Sequence, residues 1–328
     1  MTNAYRFLRH VYRDDHMRPH GERRRIGRDF LYYARNRSLQ PLECVLRQRY
    51  RGAGYPIVFI VGVPRSGTTL LYQLMARFLR IGYITNRMAG YWMTPIAGAM
   101  LSGRIDRSQI DLASRYGAGS TDMSPHEFSW FWQFYGYMTE HDHLDDRALS
   151  QIDWKSITAS LSGLAEYAQA PIVLKSLNYV DYHISWLQRQ IPRAKFVWIE
   201  RDNVAASRSI LHVREARYGD ASIWWSVRPH DFREWAERPP EEQVAHQVRD
   251  IKGSIEEAFS GLDSSTAFRT SYESLIASPA RIVSELSEFL GASIVDRDSL
   301  ESLRLSQSTL SADSQLEKRI VNALEARR

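Results

Sequence analysis

The chain is poor in the features that mark several large protein classes. It has one cysteine, Cys44, in 328 residues, so no disulfide forms within it and no cysteine-based metal cluster exists. It has no run of the roughly 18 apolar residues that a spanning helix needs; the longest apolar stretch, Tyr55 to Val63, stops at Pro64. The opening residues, MTNAYRFLRHVYRDDHMRPH, lack the apolar stretch of a secretory signal, and Asp14 and Asp15 are out of place in an arginine-rich transit peptide. Internal repeats, low-complexity tracts and clean linkers are also missing. There is no H-E-x-x-H, and His141-Asp142-His143, alternate residues on one loop, is a weak metal signal. These absences predict a soluble protein of a reducing, cytoplasmic compartment that holds no metal.

An apolar content of 44% is enough for a sizeable core. The net charge is +5, and arginines cluster early, at Arg23-Arg24-Arg25 and at Arg47, Arg49 and Arg51. Acidic residues are mixed throughout, so the charge reads as solvated helix faces around an enzyme for a small anion. Nucleic-acid binding is not expected.

The chain is organised around Tyr55–Leu79. Its first nine residues are almost wholly apolar and rich in β-branched types, as in a strand buried on both faces. The run breaks at Gly62-Val63-Pro64-Arg65-Ser66-Gly67-Thr68-Thr69 and resumes with helical spacing at Leu70, Leu71, Leu74, Met75 and Phe78. Strand, glycine-containing turn and helix start converge backbone N–H groups on one anion, with the helix dipole behind them. The glycines have Walker A spacing, G-x-x-x-x-G-K-[ST], and Thr69 sits at its hydroxyl position. The lysine position holds Thr68, and the charge lies inside the loop as Arg65. A nucleoside triphosphatase needs that lysine at the β/γ-phosphates; this loop suits a less charged group, with Arg65 as a forked donor.

The remaining elements follow from periodicity. Residues 1–54 read as an amphipathic helical cap; peripheral membrane contact through this segment is possible in principle but not expected. Ile81–Thr85 reads as a short second strand, and 86–170 as a largely polar, helical insert. Within the insert, Ser124, Pro125 and Glu127 form a capping-box pattern, and Trp130, Phe131, Trp132, Phe134 and Tyr135 follow. Strands at 171–176 and 195–202 end in charge, the first followed by a helix over 180–190 and the second by a helix capped by Asn203. Polar residues at the C-terminal ends of parallel strands are where open α/β sheets bind ligands, so Arg65, Lys175 and Arg201 are expected at one edge. Residues 213–246 read as an irregular lid held by tryptophans. A helix over 244–259, a strand over 267–270, a helix over 280–290 ending at Gly291, and a helical tail over 292–328 complete the chain. The expected fold class is α/β: a three-layer, P-loop-like parallel sheet in one domain, with its core over 55–291.

Val61–Leu70 resembles the 5′-phosphosulfate loop of sulfotransferases that use 3′-phosphoadenosine-5′-phosphosulfate (PAPS), especially bacterial and tyrosylprotein members with a Pro-Arg-Ser-Gly-Thr-Thr string. Arg201-Asp202-Asn203, with Ser209 eight positions after Arg201, resembles that family's 3′-phosphate motif. Leu174-Lys175-Ser176 is similar to its strand-end Lys-Ser, and Ser271-Tyr272-Glu273-Ser274-Leu275 to its segment beside the adenine. The resemblance implies that Pro64, Arg65, Ser66, Gly67, Thr68, Thr69, Arg201, Ser209 and Tyr272 bind PAPS as donor and 3′-phosphoadenosine-5′-phosphate (PAP) as product, without metal. The Arg-Lys-Gly element of animal cytosolic members is missing, and Asn203 stands where relatives often carry Pro or Gly.

In-line sulfuryl transfer needs a base for the acceptor hydroxyl and cations for charge on the leaving oxygen. Lys175 and Arg65 are the expected cations. Glu127 is the first candidate base, then His126 and His143; the capping-box reading of Glu127 stands beside it. Trp92, Trp130, Trp132, Trp224 and Trp225 are candidates for an acceptor pocket. The acceptor class stays open among a phenol or other small molecule, a lipid alcohol, a glycan and a peptide tyrosine. A phosphotransferase and a non-catalytic anion-binding scaffold are the competing readings.

Overall fold

The computed structural model of the chain describes residues 26–52, 54–113, 119–136, 144–306 and 313–326. Five strands form one parallel sheet: β1 Ile57–Val61, β2 Gly82–Tyr83, β3 Ile172–Lys175, β4 Ala194–Glu200 and β5 Ala267–Ser271. Their order is β2-β3-β1-β4-β5, with β1 at the centre. All five β1 side chains are buried, which accounts for the unbroken apolar run. The expected strand at 81–85 is only two residues long, because Thr85 leaves the sheet to bridge Pro125.

The helices, in chain order, are α1 Ile26–Arg49, α2 Thr68–Phe78, α3 Pro95–Ser102, α4 Ser129–Tyr135, α5 Asp146–Ser150, α6 Trp154–Ala168, α7 Leu177–Val180, α8 Ile184–Gln190, α9 Asn203–Tyr218, α10 Pro240–Ser260, α11 Tyr272–Ala277, α12 Pro279–Leu290, α13 Arg297–Ser302 and α14 Ser314–Glu325. Strand side chains alternate between two cores. Ile57, Phe59 and Val61, with Leu174, Phe196 and Trp198, pack with α1, α3, α4, α6, α9 and α10. Val58 and Ile60, with Val173, Val197 and Ile199, pack with α2, α11 and α12. Each fully buried aliphatic side chain contributes about 1.5–3 kcal/mol. The result is the expected three-layer α/β architecture.

Several local expectations are corrected. α6, at the end of the stretch read as a polar insert, buries Trp154, Ile157, Leu161 and Leu164 against the sheet. The helix expected over 180–190 is two helices with a break at Asp181-Tyr182-His183. The irregular lid starts later than 213, because α9 continues to Tyr218 and ends at Gly219 with a left-handed φ of +70°. Asn203 is the first residue of α9; the cap is Asp202, whose carboxylate accepts from the Ala205 amide. No described helix is long and apolar enough to cross a membrane.

Candidate functional site

Register places three strand ends side by side. Ile60 of β1 is level with Lys175 of β3, and Val61 is level with Trp198 of β4. The chain leaves β1 toward β2 on one side and crosses to β4 on the other, so the ends of β1 and β4 flank a topological switch point, where open α/β sheets bind ligands.

The loop after β1 turns on two glycines. Gly62 has φ +151° and Gly67 φ +95°, and a Cβ on either would stand 2.6 Å from a neighbour, the Ile199 carbonyl or the Tyr272 ring. Gly67 is the N-cap of α2 and offers no side chain to cap it, so the amides of the first helical turn remain suited to an anion. Arg65 adopts a left-handed φ of +70°. Its carbonyl accepts from Arg201 Nη1 at 2.9 Å, and its own Nε donates to Ser209 Oγ at 2.9 Å. The Arg201 guanidinium lies 4.4 Å from the Tyr272 ring centre.

These contacts join residues from four elements around the switch point. Burial, and then the neighbouring Arg201 charge, holds the Arg65 guanidinium below its ordinary pKa. Ser66 Oγ and Arg201 Nε are buried with no hydrogen-bond partner among the described residues. Two cations and orphaned donors in one crevice make a site complementary to a polyanion.

On the other side of β1, Lys175 ends β3 with 3% of its side chain exposed, and its Nζ donates to Glu127 Oε1. Ser176 Oγ donates to the Glu127 carbonyl at 2.6 Å, tying the same segment down. The capping-box reading of Glu127 is overturned. Pro125 pairs with Thr85 as a bridge, and α4 starts only at Ser129, after Phe128 in a left-handed conformation. His126 Nδ1 accepts from the Phe128 amide at 2.9 Å, and burial holds the imidazole below the usual histidine range. The neutral ring therefore carries its proton on Nε2 and has no free lone pair for a substrate proton. His143, with His141 and Asp142, lies outside the described residues.

Asp181 is a member of this neighbourhood that sequence reading missed. It is 1% exposed, accepts from the Gly62 amide at 3.4 Å, and its Oδ2 has no hydrogen-bond partner among the described residues. Burial pushes its carboxyl well above the usual range, against the pull of the Gly62 amide and of Lys175. The signal was a carboxylate in phase with Leu177 and Ile184, positions that face the core. Of the five tryptophans, Trp132 is buried beside Phe59 and Tyr179, and Trp92 is buried against Trp130. Trp224 is buried beside Arg214, whose guanidinium donates to Gln243 and Gln247 at 2.9 Å each. Those three are core, not pocket lining; Trp130 and Trp225 are half-buried. No group of three or more potential metal ligands occurs among the described residues.

Residues 56–296 match the family model described as Sulfotransferase family. The chain belongs to the sulfotransferase family. Within that family it is similar to omega-hydroxy-beta-dihydromenaquinone-9 sulfotransferase Stf3 of Mycobacterium bovis and of Mycobacterium tuberculosis. It is 23% identical to each over 261 residues, 72% of this chain and 63% of theirs. The chain thus spans less than two thirds of the length of these curated relatives. The crystal structure of sulfotransferase STF1 from Mycobacterium tuberculosis superposes with a TM-score of 0.51 at 16% identity, over 98% of this chain and 91% of that one. It shares the fold.

Proposed function

We propose that this sulfotransferase-family chain moves a sulfuryl group from PAPS to an acceptor hydroxyl. The observation that carries the reading is the pairing of Arg65 and Arg201 at the switch point, with Ser66 Oγ and Arg201 Nε lacking acceptors. The residues present fit the donor. Arg65, Ser66, Gly67, Thr68 and Thr69, with Pro64 shaping the turn, would hold its 5′ end; Arg201 and Ser209 would hold its 3′-phosphate, and Tyr272 its adenine. When bound, the donor supplies a sulfur on an activated phosphate oxygen.

The chain's own groups do the rest. Glu127 takes the acceptor proton, and His126 is set aside because Nδ1 is engaged. Lys175 and Arg65 stabilise charge on the leaving oxygen. For the acceptor we put a lipid alcohol first among the classes left open, supported by the hydroxylated menaquinone in the relatives' name.

The test is a thermal-shift titration with PAP, ATP and AMP, followed by a transfer assay with labelled sulfate. Stabilisation by PAP without magnesium, abolished in Arg201→Ala, is expected. A preference for ATP with magnesium points to a phosphotransferase and defeats the reading. PAP binding with transfer to small-molecule, glycan or peptide hydroxyls but not to lipid rejects the lipid acceptor, and PAP binding with no transfer to any of these classes identifies a scaffold instead.

A further inference from the structure

We propose that the outward face of α1 docks on an anionic lipid membrane. The inner side of this 24-residue helix is fixed by polar contacts. Asn36 donates to the Gly90 carbonyl at 2.8 Å and accepts from the Met93 amide at 3.0 Å, and Glu43 accepts from the Ala97 amide at 2.9 Å. The outer side carries Phe30, Leu31, Leu42 and Val45, three of them more than 60% exposed. At 3.6 residues per turn these four fall within about 120° of one another. They are four of the seven large apolar side chains that stand exposed among the described residues. Such a concentration marks an interaction surface rather than scattered surface residues.

The charges around this stripe select the occupant. Arg28, Arg37, Arg49 and Arg51 are exposed. The two carboxylates of the helix are turned away: Glu43 is buried, and Asp29 is largely covered. No exposed carboxylate occurs among described residues 27–52. Residues 1–25 carry seven arginines against three acidic side chains, which adds to the basic charge of this end of the chain. A second copy docking through this face about a two-fold axis sets arginine against arginine. Nucleic acid matches the charge but gives Phe30, Leu31 and Val45 nothing apolar to enter. Anionic headgroups over an acyl boundary match both, the arginines pairing with phosphate while the apolar stripe sinks beneath them. The surface is separate from the residues of the transfer site, so its test needs neither donor nor acceptor.

The experiment is co-sedimentation of the whole protein with phosphatidylcholine vesicles, with and without phosphatidylglycerol. Binding to the anionic vesicles alone, weakened by added salt, is expected. The double variant Phe30→Ser/Val45→Ser should bind about tenfold more weakly or worse, with an unchanged melting temperature because both side chains are exposed. Arg37→Glu/Arg49→Glu should abolish the preference for anionic lipid while leaving PAP binding intact. The proposal is overturned by equal binding to neutral vesicles, by no binding to either, or by binding that the Phe30/Val45 variant retains. A concentration-dependent dimer that this variant dissolves assigns the face to a second copy and overturns it equally.

Discussion

On the proposed reading, the donor and acceptor halves of the site are built in different ways. The donor half is mostly one βα turn: residues 62–69 carry its glycines, its arginine and its helix start in a single stretch, and Arg201 and Tyr272 lock on from the ends of the next strands. The acceptor half has no such contiguous unit. Glu127 comes from the segment after β2, Lys175 from the end of β3, and Asp181 from the break between α7 and α8. An anion can be held by backbone geometry, which a short glycine pattern encodes. Proton transfer needs side chains brought from distant positions, and only packing does that.

Breaking the acceptor half should have the largest effect. Glu127→Gln is expected to lower kcat by about 10²–10⁴-fold if it is the base, with PAP affinity unchanged by calorimetry; near-normal turnover would return the role to another group. Lys175→Ala should follow, with a loss of about 10²–10³-fold, the usual cost of removing one charge-stabilising donor. Some PAP affinity should be lost with it, because the proposed contact of Lys175 is to the donor's own leaving oxygen; unchanged kcat and PAP affinity would remove Lys175 from the site. Gly67→Ala probes the donor half. A Cβ there would press on the Tyr272 ring in a left-handed conformation costing about 1–2 kcal/mol, so PAP affinity should fall about tenfold with kcat at saturation little changed. An unaltered affinity would show that the ring yields freely.

The smallest effect, and the one that ties the halves together, concerns Asp181. Its folded-state pKa is raised by burial, so the native state holds this proton at pH values where the unfolded chain has lost it. Stability therefore falls as pH rises above the unfolded carboxylate pKa, until the folded group also ionises. Asp181→Asn removes that dependence: it should melt higher than the parent at pH 8, with the gap closing toward pH 4. A gap that widens on acidification would mean that Asp181 is ionised and paired in the fold.

Much of the fold was legible because its signals are local. The apolar run of β1, the charged ends of β3 and β4, and the Ser-Pro start of α12 each lie within a few residues. The glycine turn was legible for the same reason: Gly62 and Gly67 both take positive φ between the end of β1 and the start of α2. What misled was also local. Ser124-Pro125 with Glu127 fits a capping box, but Pro125 pairs with Thr85 and Ser176 holds the Glu127 carbonyl, and neither partner is nearby in sequence. Asn203 looked like a cap until Asp202, one residue earlier, took the Ala205 amide. The tryptophans were pocket candidates because composition does not say which side chains the fold buries, and Trp92, Trp132 and Trp224 are buried. Arg214, buried among glutamine carbonyls with its pKa pushed down to about 9 by burial and by Arg228, gave no warning in sequence at all.

The Lys175–Glu127 pair has a consequence for the order of events. At rest the candidate base and the candidate leaving-group cation neutralise each other. An acceptor arriving first meets a carboxylate already engaged. With the proposed roles, a donor arriving first would draw the ammonium toward its own oxygens and release the carboxylate, so the expected order of addition is nucleotide before alcohol. Initial-rate patterns should show PAP competing with the donor but not with the acceptor, and a random-order pattern would dissolve the link.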